Sequence, residues 1–258
     1  MSENNLIREF FVYLTLIKEG HLFKDKAAII FYMLCAPLRY LLKKIGRSYN
    51  QGLIREVTIK NSDGLFFCGR SFTSCKAVSS FYEKDIKHYI DLKEGIFIDI
   101  GAHIGKYAIR LANRMGNKGE VIAIEPEENN FKILEKNVTH NKLENIHLLN
   151  VACFNKDGEI PLYVTGNYTT LHSIYRNGGH KKVVAKAFKL DTIVSQLNIK
   201  KVDLIKIDVE GAEIDVIKGS RKILHKYHPR IIFESCDKKH LKGNGVFFKK
   251  IHLSSKEN

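Results

Sequence analysis

Phe97-Ile98-Asp99-Ile100-Gly101-Ala102-His103-Ile104-Gly105 and Val121-Ile122-Ala123-Ile124-Glu125-Pro126 together read as strand, glycine turn, helix, and a second strand ending in an acid. That succession binds a nucleoside. Asp99 closes an apolar strand, Gly101 allows the sharp turn, and Gly105 lets the next helix pack close to the sheet. Glu125 ends the second strand, within a few residues of the roughly 20-residue offset at which an acid reaches ribose hydroxyls. The glycine pattern is G-x-x-x-G. The middle glycine of a dinucleotide fingerprint, which lets backbone approach a pyrophosphate, is replaced by His103. A nucleoside ligand without a pyrophosphate fits better, and S-adenosylmethionine (SAM) is the obvious one.

Outward from this core, strands and helices alternate. Strands are expected at 96–100, 121–125, 146–153, 204–209 and 230–234, with an extra strand at 160–164. Helices are expected at 105–115, 130–141, 190–197 and 212–225. The pattern gives an α/β fold, a doubly wound, mostly parallel sheet with helices on both faces. Its crevice should lie beyond the carboxyl ends of the 96–100 and 204–209 strands, at the switch point. Ahead of the sheet, Val57–Lys60 and Leu65–Cys68 flank Asn61-Ser62-Asp63-Gly64, a hairpin signal, and residues 78–91 read as a helix.

Residues 1–52 form a separate segment, a helical cap or a membrane-interface element; 53–258 form the main domain, with 53–75 its β-hairpin lead-in. Leu6–Ile17 suits an amphipathic helix. Ala27–Leu42 is apolar but shorter than the roughly 20 residues of a spanning helix. Lys24 and Lys26 precede it, and Lys43, Lys44 and Arg47 follow it, a pattern that suits a helix lying in the membrane interface. The 258-residue chain carries a formal charge of +14. That excess fits an acidic partner such as anionic lipid, acidic glycan or nucleic acid. The five cysteines include no C-x-x-C, which reads as reduced thiols in a cytoplasmic protein, peripheral to the membrane if the first segment touches it. No metal site is called.

The second dense cluster is Leu204-Ile205-Lys206-Ile207-Asp208-Val209-Glu210-Gly211-Ala212-Glu213. Lys206 and Asp208 alternate with Ile205 and Ile207 along a strand. Three carboxylates and one ammonium would converge on the crevice mouth, a place to hold and deprotonate a hydroxyl. Asp208 and Glu210 are the candidate bases, with His172 in Thr170-Leu171-His172-Ser173 as another. Lys206, Glu213 and Glu234 are candidate substrate contacts.

With this cluster the chain resembles the FkbM family of SAM-dependent methyltransferases. Asp99-Ile100-Gly101-Ala102-His103-Ile104-Gly105, Ile124-Glu125-Pro126, Lys156-Asp157-Gly158, Leu190-Asp191-Thr192, Lys206–Glu213 and Phe233-Glu234 carry the likeness, over roughly residues 55–235. The resemblance implies a Rossmann-like class I methyltransferase sheet and O-methylation of a sugar, glycan or related metabolite hydroxyl. It implies that Asp99, Gly101, Ala102, His103 and Gly105 line the methionine end of SAM. Glu125 would take the ribose, and Asn150, Val151 and Ala152 would face the adenine. His103 stands where relatives usually have Asn. Relatives usually add two further strands after the position of Glu234, whereas here only 246–253 reads as one. A shortened C-terminus, or a sheet completed by a second copy of the chain, is the expectation. The other readings are a non-catalytic SAM- or partner-binding protein and a nucleic-acid methyltransferase. Against the latter, this chain has no Asn/Asp-Pro-Pro-Tyr/Phe run after the fourth main strand and no Pro-Cys dipeptide.

Overall fold

The computed structural model describes residues 3–38, 56–83, 86–164 and 181–233. Two helices, α1 (Glu3–Glu19) and α2 (Phe23–Leu34), pack against each other as a hairpin. They precede an antiparallel pair, β1 (Thr58–Asn61) and β2 (Gly64–Phe67), and a short helix, α3 (Phe72–Val78). The main unit then alternates β3 (Gly95–Ile100), α4 (Lys106–Met115), β4 (Gly119–Ile124), α5 (Glu128–His140) and β5 (Ile146–Leu149). A three-stranded insertion follows, built of β6 (Ala152–Cys153), β7 (Gly158–Val164) and β8 (Lys181–Phe188). Then come α6 (Leu190–Gln196), β9 (Leu204–Ile207), α7 (Glu213–Lys218), α8 (Arg221–Tyr227) and β10 (Arg230–Phe233).

The five-stranded sheet is parallel throughout, in the order β10-β9-β3-β4-β5. The chain therefore winds one way from β3 through β5 and returns to add β9 on the other side of β3. This is the reversal at which α/β sheets leave a crevice. Residues alternate between two cores. Phe97, Val121, Ala123 and Leu204 face the side of α4 and α5; Ile98, Ile122, Ile124, Ile205 and Ile207 face the side of α6, α7 and α8. The expected doubly wound sheet is thus present, with its apolar strands buried on both faces.

Four local expectations are corrected. Among the described residues of 78–91 the expected helix is absent: Val78 ends α3, and the chain then runs in turns. Ser71 caps α3 by accepting from the Ser74 N–H at 3.1 Å; Glu83 then takes a left-handed φ of +55° that no helix carries. The 146–153 strand splits because the Asn150 side-chain amide donates to the Glu125 carbonyl at 2.8 Å, which draws the chain out of the main sheet. The extra strand expected at 160–164 is present within β7, in the insertion, where it pairs antiparallel with the unanticipated β8. The single helix at 212–225 is two helices, broken at Gly219-Ser220, where the Ser220 hydroxyl donates to the Val216 carbonyl at 2.6 Å. In the apolar 27–42 stretch, α2 begins earlier, at Phe23, and ends at Leu34, and residues 39–42 lie outside the described residues. His172, Glu234 and the 246–253 strand lie outside the described residues.

The β-hairpin is fixed to the sheet by amides. Asn137 of α5 accepts from the Phe67 N–H at 2.6 Å and donates to the carbonyls of Phe67 at 3.1 Å and Ile104 at 2.9 Å. One turn later Asn141 accepts from the Leu65 N–H and donates to the Leu65 carbonyl. Side chains four apart on a helix thus meet residues two apart on the edge of β2, and satisfy backbone groups that an edge strand leaves open. Asn137 is fully buried. Asn137→Ala strands one donor and two acceptors, so urea denaturation should show a loss of about 2–4 kcal/mol; a loss under about 0.5 kcal/mol would sink this account.

Candidate active site

Two glycines shape the turn after β3. Gly101 has φ +79°, and a Cβ there would lie 1.8 Å from the Asp208 carbonyl oxygen. Only glycine lets the ends of β3 and β9 close this tightly, and the Asp208 N–H donates to the Ile100 carbonyl at 2.9 Å across the same gap. Gly105, at φ +96°, opens α4; a Cβ there would meet Leu134 of α5 at 2.6 Å. Between them His103 is also left-handed, φ +52°, a conformation in which Asn and His are both enriched among non-glycine residues.

A cavity of about 420 Å³ opens beyond this turn, within the roughly 300–1,000 Å³ range of small-ligand sites. Asp99, Gly101, Ala102, His103, Glu125 and Ala152 line it on one side, and Lys206, Asp208 and Glu210 on another. Residues from four stretches far apart in sequence therefore converge where the topology reverses. Gly105 and Val151 are not part of its wall; Asn150 supports it by holding Glu125-Pro126. Glu213 turns away and accepts from the Gly211 N–H at 2.9 Å, which makes it a local brace of the β9–α7 turn.

Glu125 is almost wholly buried. One carboxylate oxygen accepts from the His103 N–H at 2.8 Å, the other from the Glu127 N–H at 3.0 Å. The Asn130 side chain also hydrogen-bonds the carboxylate, so three of its roughly four lone-pair sites are used and one stays open to a further donor such as a ribose hydroxyl. Burial pushes its pKa up to about 7, against the two backbone N–H groups, which pull it down. This raised value favours the fold at low pH, and that contribution is lost as pH rises through about 7.

Asp99 and Lys206 are register partners on β3 and β9. The Lys206 ammonium lies 3.5 Å from Asp99 and 3.1 Å from Asp208. Burial lowers the Lys206 pKa, but Asp208, Asp99 and Glu83 outweigh it and hold the ammonium charged. Burial likewise raises the Asp99 carboxyl, Lys206 opposing. The cation among these carboxylates is therefore the protein's own.

The sequence reading missed the opposite wall, which includes Tyr82, Glu83, Lys106 and Tyr107. Glu83 accepts from the Lys106 ammonium at 3.0 Å and from the Tyr107 hydroxyl at 2.6 Å. Burial lowers Lys106 to about 8, against the attraction of Glu83. Lys106 and Tyr107 follow Gly105 directly, and a first helical turn after such a glycine faces the crevice; that signal was present. Glu83 gave none, since its stretch read as a helix.

Fold and site together define a doubly wound α/β protein with a crevice at the topological switch point of its parallel sheet. The sequence matches the Methyltransferase FkbM domain over residues 99–254. The chain belongs to that family. Among curated proteins it is 22% identical over 166 residues to Methyltransferase 1 of Beauveria bassiana, covering 57% of this chain and 66% of that protein. It is 26% identical over 153 residues to methyltransferase sdnD of Sordaria araneosa, covering 47% and 59%. Among solved structures, the methyltransferase FkbM of Methylobacillus flagellatus superposes with a TM-score of 0.43 at 16% identity, over 90% of this chain and 49% of that one. This chain thus spans about two thirds or less of the relatives' lengths.

Proposed function

We propose that this protein uses SAM to methylate a hydroxyl of a sugar, glycan or related metabolite, with Asp208 or Glu210 as the general base. The observation that carries the reading is the convergence, on one cavity, of a buried carboxylate that can accept a hydroxyl, Glu125, and two carboxylates at the end of β9.

The residues present suit the cofactor. Glu125 keeps a lone pair open to a ribose hydroxyl beside its bonds to His103, Glu127 and Asn130. Asp99 Oδ1 is buried with no hydrogen bond, only the long ion pair to Lys206, and so can take a ligand's ammonium. The His103 side of the turn lacks the glycine a pyrophosphate would need. SAM, when bound, supplies a methyl on a positively charged sulfur, which an oxygen nucleophile can take as a neutral thioether leaves. Because that methyl is already activated, the protein's work is alignment and removal of one proton. Asp208 and Glu210 can accept the hydroxyl proton, and Lys206 keeps Asp208 in place.

Calorimetry should show SAM binding that strengthens about tenfold from pH 6 to pH 8, since the ionised Glu125, with a pKa of about 7, accepts a ribose hydroxyl better than the protonated acid does. Glu125→Ala should weaken binding by about 1.5–3 kcal/mol and flatten the Glu125 share of that profile, leaving the ligand's own titration. Radiolabelled methyl transfer from SAM into lipid and polysaccharide extracts then tests the reaction. SAM binding without transfer to any hydroxylated acceptor would make the protein a non-catalytic binder; an unchanged Glu125→Ala affinity would remove Glu125 from the ribose site.

A further inference from the structure

The α1–α2 hairpin has two apolar faces. The inner one holds Val12, Leu16, Ile29 and Tyr32, all buried in the main core. It is tied down by polar contacts too. Asp25 accepts from the N–H groups of Leu22 and Thr58, Glu19 accepts from Ser80 N–H, and Glu9 pairs with Lys76 at 2.5 Å.

The outer face is apolar as well. On α1, Ile7, Phe10, Phe11 and Leu14 recur at the i, i+3, i+4, i+7 spacing of one helical stripe, and all are exposed. Phe23, Ala27, Ile30, Phe31, Leu34 and Leu38 make the equivalent stripe on and just past α2; Phe23 is 86% exposed and Leu34 69%. On each helix the stripe lies opposite the core-facing residues, so the two stripes share the outer side of one layer. A water-facing helix would carry polar residues there.

Charge says what this side meets. Arg8, Lys18 and Lys24 are exposed on the hairpin and Lys26 half-exposed, whereas Glu9, Glu19 and Asp25 are each engaged inward. Lys18, Lys24 and Lys26 cluster at the turn between the helices. An apolar stripe rimmed by cations, on a chain of net charge +14, is complementary to a surface that is apolar inside and anionic at its boundary.

We propose that the outer face of the α1–α2 hairpin docks on an anionic lipid surface. The Glu9–Lys76 pair links α1 directly to a residue of the cavity wall, so docking would set the cavity beside the lipid boundary. That consequence for the acceptor rests on the proposed methyl transfer; the docking itself does not.

The test is co-sedimentation of the full chain with vesicles of phosphatidylcholine alone or with about one third phosphatidylglycerol. Binding is expected to the anionic vesicles, weakening as salt rises. Phe10→Ser/Phe23→Ser/Phe31→Ser/Leu34→Ser should abolish it, with circular dichroism and SAM binding unchanged. Lys18→Gln/Lys24→Gln, which leaves the apolar stripe intact, should weaken it roughly tenfold or more. Failure of the wild type to sediment with anionic vesicles would overturn the proposal, as would equal sedimentation of wild type and both variants. A dimer in light scattering that the serine variant converts to monomer, without vesicle binding by either, would instead make this face an interface between two copies.

Discussion

Gly101→Ala is expected to be the most damaging glycine-to-alanine change among the described residues, costing about 3–6 kcal/mol of stability. Three terms add. A left-handed φ costs an alanine about 1–2 kcal/mol. The new Cβ would sit 1.8 Å from the Asp208 carbonyl oxygen, and backbone cannot rotate away as a side chain can, so the ends of β3 and β9 must part at an overpacking cost of about 1–3 kcal/mol. Parting them stretches the Asp208 N–H to Ile100 carbonyl bond, worth about 1 kcal/mol. The total is a large share of the roughly 5–15 kcal/mol that holds a domain folded. Thermal unfolding should fall by roughly 10–20 °C, and SAM binding should fall with it, since Asp99 and Asp208 flank the displaced joint. Gly69→Ala is the control. Gly69 is also left-handed, φ +59°, but a Cβ there meets only Ile133 at an ordinary 3.5 Å, so only the conformational term should appear. Equal losses in the two variants would show that the β3–β9 joint is not the constraint.

The contrast between those glycines marks what the sequence can and cannot say. The parallel sheet was legible because its strands are short apolar runs, of which β3, β4 and β9 are buried on both faces and are followed by Gly101, Glu125 and Asp208. The crevice was legible because topology, not side-chain detail, puts it at the reversal between β3 and β9. Asp99, Glu125, Lys206, Asp208 and Glu210 all reach it. Glu213 does not: an acid in the first turn after Gly211 can serve either a ligand or the turn's own N–H, and spacing does not separate the two. Tyr82 and Glu83 were invisible for another reason. They come from a turn whose shape depends on Glu83 meeting Lys106 and Tyr107, partners 23 and 24 residues away. The hairpin's second apolar face lay in plain sight as sequence, yet only the packed structure tells which of its two stripes is inside.

Asp208→Asn or Glu210→Gln is expected to lower methyl transfer by about 10²–10⁴, the usual cost of losing a general base, while SAM still binds within a few fold. Both side chains line the cavity at the end of β9. A protonated hydroxyl is a poor nucleophile, and a carboxylate within reach can take its proton as the oxygen–carbon bond forms. The two residues are held differently. Asp208 is anchored by its N–H to Ile100 and by Lys206 at 3.1 Å; Asn keeps the acceptor oxygen that Lys206 needs, so the joint should survive and only the proton-accepting charge is removed. Glu210 stands two residues on, at a left-handed φ of +52°, where Gln changes neither backbone nor length. The substitutions therefore separate chemistry from architecture, which Gly101→Ala cannot. If Asp208→Asn loses SAM binding along with turnover, Asp208 is a cofactor ligand and Glu210 remains the base. If Glu210→Gln alone loses turnover, the proton goes to Glu210, and Asp208 with Lys206 fixes the acceptor in place. Near-native transfer by both variants on the true acceptor would mean that the hydroxyl loses its proton to neither, and would end the general-base assignment to β9.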